Sequence, residues 1–152
     1  FAKILVQYKE CFDEALKTVF LYPLRWWFMI RFFGYTVCYL PSSKEKIAKR
    51  GFHHLEKMFS SIPLQQANLF EKVNDFDQKN RSVEERMKMV DNIALKKHCD
   101  VPKKVLLVDD TITTGASLLG ALRCLQDYDC KIAIYVVSVN HLWLKKPKIF
   151  GK

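Results

Sequence analysis

The stretch that most restricts what this chain can fold into is VLLVDDTITTGASLL, residues 105–119. Val105 to Val108 is a run of four apolar residues bounded by charge. Such a run predicts a short strand buried on both faces, as in a parallel sheet covered by helices. Asp109 and Asp110 follow where that strand is expected to emerge, and Thr111-Ile112-Thr113-Thr114-Gly115-Ala116-Ser117 reads as a tight turn of small residues. Leu118, Leu119, Leu122 and Leu125 then recur at helical spacing, so the turn feeds directly into a helix. A strand, a hydroxyl- and glycine-rich turn and a helix N-terminus together make an anion site. The N–H groups of a first helical turn have no partner one turn back, and the helix dipole favours negative charge there.

The two aspartates restrict the anion. A lone phosphate is repelled by adjacent carboxylates, whereas a sugar phosphate can donate its ring hydroxyls to Asp109 and Asp110 while its phosphate sits over Thr113 to Ser117. Two aspartates after a strand are also compatible with an ordinary βα turn carrying solvated carboxylates. The addition of Thr-Thr-Gly-Ala-Ser in register, with a helix straight after, is what selects the cradle. The whole stretch resembles the motif with which type I phosphoribosyltransferases bind phosphoribosyl pyrophosphate (PRPP): several apolar residues, two acidic residues, then a short T-T-G-[AGT]-[ST] loop.

A chain of 152 residues with 49% hydrophobic and 27% charged residues has globular composition. It is read as one domain over residues 1–152, long enough to bury roughly two thirds of its unfolded surface. The formal net charge of +9 calls for anionic ligands or partners, whether polyphosphate, nucleic acid or a membrane surface. Cys11, Cys38, Cys99, Cys124 and Cys130 are odd in number and lack C-x-x-C spacing. That argues against a disulfide framework or a zinc site and for a reducing cytoplasm. No signal peptide is visible, and the sequence starts at Phe1 rather than Met, which leaves upstream residues open.

In chain order, Lys3–Tyr8 has strand character, and Phe12, Leu16, Val19 and Phe20 place a helix over residues 10–21 that Pro23 ends or kinks. Leu24–Phe33 (LRWWFMIRFF) is the most apolar stretch, but Pro23, Arg25, Arg31 and Gly34 keep it well short of the ~20 apolar residues of a transmembrane span. It is either a buried or partner-covered helix or an interfacial one, with Arg25 and Arg31 beside Trp26 and Trp27. Tyr35–Leu40 predicts the next strand. Ser42 and Glu45 then form an S-x-x-E capping box for a helix that Gly51 breaks and residues 53–59 resume. Lys44, Lys46, Lys49 and Arg50 crowd this region. A basic run is by default a solvated face, yet this one follows a strand end, where open α/β sheets bind ligands. Leu69–Val73 predicts a further strand, and residues 74–81 are polar and expected to be mobile, as a cover that opens for ligand exchange. A second S-x-x-E box, Ser82 with Glu85, starts a short helix. Cys130–Val139 predicts another buried strand, and Asn140–Lys152 is a basic tail.

Three further features resemble the ComF family, phosphoribosyltransferase-like proteins associated with DNA uptake in competent bacteria. They are Arg50-Gly51-Phe52, the spaced Gln78, Arg86 and Asn92, and Leu40-Pro41 closing a strand. His53-His54 stand where that family prefers Asn-Gln, Tyr39 replaces a proline, and the family's four-cysteine zinc ribbon is either lacking or lies upstream of Phe1. Other branches fit less well. The 6-oxopurine salvage enzymes place an acidic residue where Thr113 stands. PRPP-sensing repressors add a DNA-binding domain, and amidotransferases add a domain with a nucleophilic cysteine.

The resemblance implies a type I phosphoribosyltransferase-like α/β fold, a mainly parallel sheet flanked by helices. It implies Mg²⁺-assisted transfer of the phosphoribosyl group with pyrophosphate leaving. Asp109 and Asp110 would hold the ribose hydroxyls, directly or through metal. Thr111, Thr113, Thr114, Gly115, Ala116 and Ser117 would form the 5′-phosphate loop, and Ser42, Ser43 and Lys44 would meet pyrophosphate. His53, His54, His98 and His141 are read as surface histidines. No residue identifies the acceptor. Two functions of different class follow: an enzyme acting on an undetermined acceptor, and a nucleic-acid handling factor that keeps the loop for binding or sensing and takes single-stranded DNA. The second brings the expectation of a competence or membrane-associated protein partner. Exposure of Trp26, Trp27 and Trp143 bears on it, because buried tryptophans offer no stacking surface.

Overall fold

The computed structural model describes residues 21–42, 48, 54–73, 93–112 and 115–139. A 3-10 turn at Tyr22–Leu24 leads into α1 (Arg25–Arg31), followed by β1 (Thr36–Tyr39), α2 (His54–Phe59), β2 (Gln66–Ala67), β3 (Phe70–Lys72), β4 (Ile93–Leu95), β5 (Lys104–Ile112), α3 (Ala116–Leu125) and β6 (Lys131–Val139). Four strands form one sheet in the order β2-β1-β5-β6, with every pairing parallel. β3 and β4 form a separate antiparallel pair.

β5 is central because its sequence can be buried on both sides. Val105, Leu106, Leu107 and Val108 are all fully buried. Their side chains alternate between two cores. Leu106 and Val108 pack with Leu21, Phe28, Met58 and Phe59; Val105 and Leu107 pack with Cys38, Leu118, Ala121 and Leu125. Each such side chain contributes about 1.5–3 kcal/mol by leaving water, so a four-residue apolar run is sufficient to fix this strand inside the sheet. β1 has the same character, buried at all four positions. Tyr39 pairs with Val108 at the end of their ladder.

On the first core, α1 inserts Phe28 between Phe59 (5.8 Å between ring centroids) and Tyr135 (4.6 Å), both edge-on. Phe28 and Phe32 are buried, whereas the other side of α1 is open, so the helix is neither wholly buried nor wholly exposed. On the second core, α3 buries Leu118, Gly120, Ala121 and Leu125; of the four leucines whose spacing predicts the helix, Leu119 and Leu122 are only half-buried.

Two expectations need correction. β5 does not stop before the aspartates: the ladder to β6 continues through Asp109↔Val136, Thr111↔Ser138 and Ile112↔Val139. Backbone pairing with β6 holds this polar extension in the sheet, so the turn begins after Ile112 rather than at Thr111. β6 is not a buried strand but, among the described residues, the edge of the sheet. Ile132, Ile134 and Val139 are more than a third exposed, while Ala133, Tyr135 and Val137 face the first core. A continuous apolar run cannot by itself distinguish a central strand from an edge strand. The strand expected within Leu69–Val73 is present as β3 and pairs with β4, outside the main sheet.

Cys38, Cys99, Cys124 and Cys130 are free thiols. No helix among the described residues is long and apolar enough to cross a membrane. Several readings fall outside the described residues: the strand and helix before Leu21, the Ser42/Glu45 and Ser82/Glu85 capping boxes, the polar cover at 74–81, Arg50-Gly51-Phe52, Gln78, Arg86, Asn92, Cys11, His53, His141, Trp143 and the basic tail.

Candidate functional site

The strand order fixes where a ligand crevice belongs. The chain passes from β1 to β2 on one side, and from β5 to β6 on the other. The direction of winding therefore reverses between β1 and β5, and ligand crevices of open α/β sheets lie outside the carboxyl ends of the strands at such a reversal. β1 leaves first: the Leu40 N–H donates to the Val108 carbonyl at 3.2 Å, after which Pro41 and Ser42 leave the strand. β5 runs on alone on that side through Asp109 and Asp110, so both aspartates stand where the strand order puts a ligand crevice.

Asp109 is in register with Val136, which packs against the α3-side core, and Asp110 follows it along β5. Both are half-buried. The Asp110 N–H donates to Asp109 Oδ1 at 2.8 Å, which fixes the orientation of that carboxylate. A pair held in this way presents hard oxygen acceptors at one strand end.

The return of the chain into α3 supplies the complementary charge. Ile112 is buried in the same core as Leu118 and Ala121, anchoring both ends of the loop. Gly115 precedes the helix with φ of 80°, in the left-handed region, where a side chain is strained and glycine is not. The Leu119 N–H donates to the Gly115 carbonyl at 2.9 Å and closes the first turn, in which Ala116 and Ser117 are half-buried. The positive end of the α3 dipole therefore faces the loop that leaves the aspartates. Of the sequence-predicted site, the structure gathers Asp109, Asp110, Thr111, Gly115, Ala116 and Ser117 at one strand-to-helix junction. Ser42 lies on the segment leaving β1 beside it. Thr113, Thr114, Ser43 and Lys44 lie outside the described residues.

One brace beside the crevice has no sequence signal. Tyr39 Oη donates to Gln66 Oε1, and Gln66 Nε2 donates to the Phe59 carbonyl at 3.2 Å. This ties the end of β1 to β2 and α2. Burial, and secondarily the Glu56 carboxylate, push the Tyr39 phenol well above its ordinary range, so it stays a neutral donor. Cys38, next to it, is pushed up to about 12, by burial above all and then by Cys130 and Cys99, which makes it an inert thiol. His98 is exposed, as expected, in a left-handed turn at φ 58°. Trp26 and Trp27 are exposed at 61% and 48%, so neither is removed as a contact surface. No group of three or more His, Cys, Asp or Glu among the described residues forms a metal cage.

Comparison with known proteins adds three findings. The family model described as phosphoribosyl transferase domain matches residues 47–151. Competence protein ComFC of Streptococcus pneumoniae (strain ATCC BAA-255 / R6) is 28% identical over 97 residues, which cover 64% of this chain and 44% of that protein. The match thus spans less than half of the relative's length. The crystal structure of a hypoxanthine phosphoribosyltransferase from Staphylococcus aureus superposes with a TM-score of 0.50 at 12% identity, covering 84% of this chain and 74% of the other. That likeness is one of fold.

Proposed function

Because the chain belongs to the phosphoribosyl transferase domain family and is a ComF-like member of it, we propose that it binds PRPP, or a related phosphoribosyl ligand, in the crevice between β1 and β5. One observation carries this reading: a pair of half-buried carboxylates and a glycine-started helix N-terminus meet at the reversal point of the sheet. The ribose hydroxyls donate to Asp109 and Asp110. The 5′-phosphate lies against the loop from Thr111 to Ser117, where Gly115 lets the backbone come close. Ser42, with Ser43 and Lys44 after it, lies on the β1 side, where pyrophosphate would extend.

Transfer of the phosphoribosyl group passes through an oxocarbenium-like state, so the protein's task is to hold the ribose still and let negative charge leave. The half-buried oxygens of Asp109 and Asp110 suit Mg²⁺, a hard cation that keeps several waters and draws further ligands from substrate phosphates. When bound, that ion neutralises charge on the departing pyrophosphate. The aspartates hold the ribose in place and, by their own charge, favour positive charge developing at its C1. Calorimetry of PRPP with Mg²⁺, run beside a pyrophosphate-release assay over a panel of bases and amines, tests the reading. Binding without release under any acceptor would leave a PRPP-binding protein rather than a transferase. Absence of PRPP binding refutes the site.

The likeness to a competence protein and the net charge of +9 favour a second reading, a cytoplasmic factor in DNA uptake that binds single-stranded DNA and is not a catalyst. Its mark is affinity that falls steeply with salt, because phosphate contacts release counterions. Salt-independent or absent binding of an oligonucleotide removes it.

A further inference from the structure

The outer side of α1 carries a ridge that neither core uses. Tyr22 stands in the 3-10 turn before α1, Trp26 and Ile30 lie one turn apart on the helix, and Phe33 stands in the turn after it. They are 53%, 61%, 81% and 80% exposed, opposite the buried Phe28 and Phe32. An apolar ridge this open is uncommon on a free surface. Its flanks are cationic. The Arg25 guanidinium lies over the rings of Tyr22 (5.2 Å) and Trp26 (4.9 Å), and that of Arg31 lies over Phe32 (5.5 Å). At the far end, Lys104 Nζ lies 5.8 Å from the Tyr35 ring, one residue past Gly34. No acidic residue occurs anywhere between Leu21 and Ser42.

We propose that this ridge docks the protein on the surface of an anionic lipid bilayer. Ile30 and Phe33 would enter the acyl boundary, Tyr22 and Trp26 would lie at headgroup depth, and Arg25, Arg31 and Lys104 would meet lipid phosphates. Charge complementarity chooses this occupant: an apolar ridge flanked by Arg25, Arg31 and Lys104 matches a sheet of negative headgroups over hydrocarbon. Stacked nucleobases fit the ridge less well. Its most exposed members are an isoleucine, which has no π face, and a terminal phenylalanine. One face of Trp26 is already covered by Arg25, and Trp27 packs edge-on against Phe28 and Phe32. Phe33 leads through Gly34 into the amino end of β1, the edge of the sheet remote from the crevice. A docked protein therefore keeps the PRPP crevice open, and the inference stands independently of that reading.

The test is sedimentation of the full chain with vesicles of phosphatidylcholine alone and with an equal share of phosphatidylglycerol. Tryptophan emission and size-exclusion chromatography accompany it. The expected result is binding to the anionic vesicles with a blue-shifted emission, and little binding to the neutral ones. Ile30→Asp with Phe33→Ser should weaken binding at least ~10-fold, and Arg25→Gln or Arg31→Gln roughly fivefold each. All four side chains are outside the cores or at the rim, and unchanged circular dichroism and PRPP binding would confirm folded variants. The proposal is overturned if wild-type protein ignores anionic vesicles or if Ile30→Asp with Phe33→Ser sediments like wild type. It is equally overturned if those substitutions abolish binding of a single-stranded oligonucleotide, or dissociate a dimer, without changing vesicle binding.

Discussion

Replacing Gly115 separates the backbone requirement of the loop from its proposed role as a phosphate cradle. Gly115 has φ of 80° at the N-cap of α3. An ordinary L-residue forced into the left-handed region costs about 1–2 kcal/mol, and a β-branched one lies at the upper end. For a chain of this size each kcal/mol lowers Tm by roughly 2–4 °C, so Gly115→Val should melt about 4–8 °C below wild type by circular dichroism. Asparagine tolerates the left-handed region far better, so Gly115→Asn should stay within ~2 °C. Both variants, however, put a side chain where the 5′-phosphate must approach the backbone. Losing one or two charge-assisted hydrogen bonds of ~1.5–3 kcal/mol each raises the PRPP dissociation constant by at least ~10-fold, measured by calorimetry with Mg²⁺. The asparagine variant is decisive: stable but unable to bind is the expected outcome. If Gly115→Asn binds PRPP like wild type, the cradle lies elsewhere. If Gly115→Val melts like wild type, the left-handed turn is wrong.

Asp109→Asn with Asp110→Asn should weaken PRPP binding at least ~10-fold by removing charged acceptors for the ribose hydroxyls, while single-stranded DNA binding, carried by Lys and Arg, stays the same or tightens; joint loss would place both ligands in one site. Leu107→Ala should cost about 2–5 kcal/mol in urea unfolding, because Leu107 is fully buried between β1 and α3; a cost below ~1 kcal/mol would contradict a central β5. Alkaline stability should carry the signature of Cys38, whose thiol is raised from 9.0 to about 12 by burial. A group with a raised folded pKa is matched in both states below its unfolded pKa. Between pH ~9 and ~12 Cys38 ionises only in the unfolded chain and so contributes a loss of ~1.4 kcal/mol per pH unit; Tyr39, Tyr135, Cys124 and Cys130, also raised by burial, add to the slope, and Cys38→Ala should lower it by its own share in urea unfolding series.

The parts of the fold legible in the sequence were those in which one physical demand dominates. Val105–Val108 must be buried on both faces, and no other element accommodates four consecutive apolar residues followed by charge and a glycine turn. The leucine spacing announces α3, although its buried face runs through Leu118, Ala121 and Leu125. Elements held by partners rather than by their own composition were not legible. β2 is two residues, Gln66–Ala67, existing because it pairs with Val37 and Cys38. β4 is fixed by its pairing with β3. The extension of β5 through Asp109–Ile112 depends on β6 continuing beside it, which polar side chains do not announce. The candidate site divides in the same way. Its aspartates and Gly115 could be named from the motif, but their position at the reversal between β1 and β5 is a property of strand order. The Tyr39–Gln66 brace joins residues 27 apart in sequence and left no pattern to find.

The site sets two opposite electrostatic demands a few residues apart, and this narrows the ligand more than either would alone. A helix N-terminus attracts an anion by roughly 0.3–1 kcal/mol at an exposed position, and more when partly buried. A carboxylate repels one: at ~6 Å and an effective dielectric of ~20, two unit charges differ by about 3 kcal/mol. A bare phosphate at the junction would therefore lose near Asp109 and Asp110 more than it gains from α3. The balance reverses for a ligand that puts a neutral, hydroxyl-bearing spacer against the carboxylates and holds its phosphate at the helix end. Each hydroxyl given to a charged acceptor then contributes about 1.5–3 kcal/mol where an anion would have been repelled. A five-membered sugar phosphate has that division of charge, with adjacent hydroxyls on one edge and the phosphate on a short arm. On the proposed reading the carboxylates thus act as a filter as well as a grip, rejecting phosphates that arrive without a sugar.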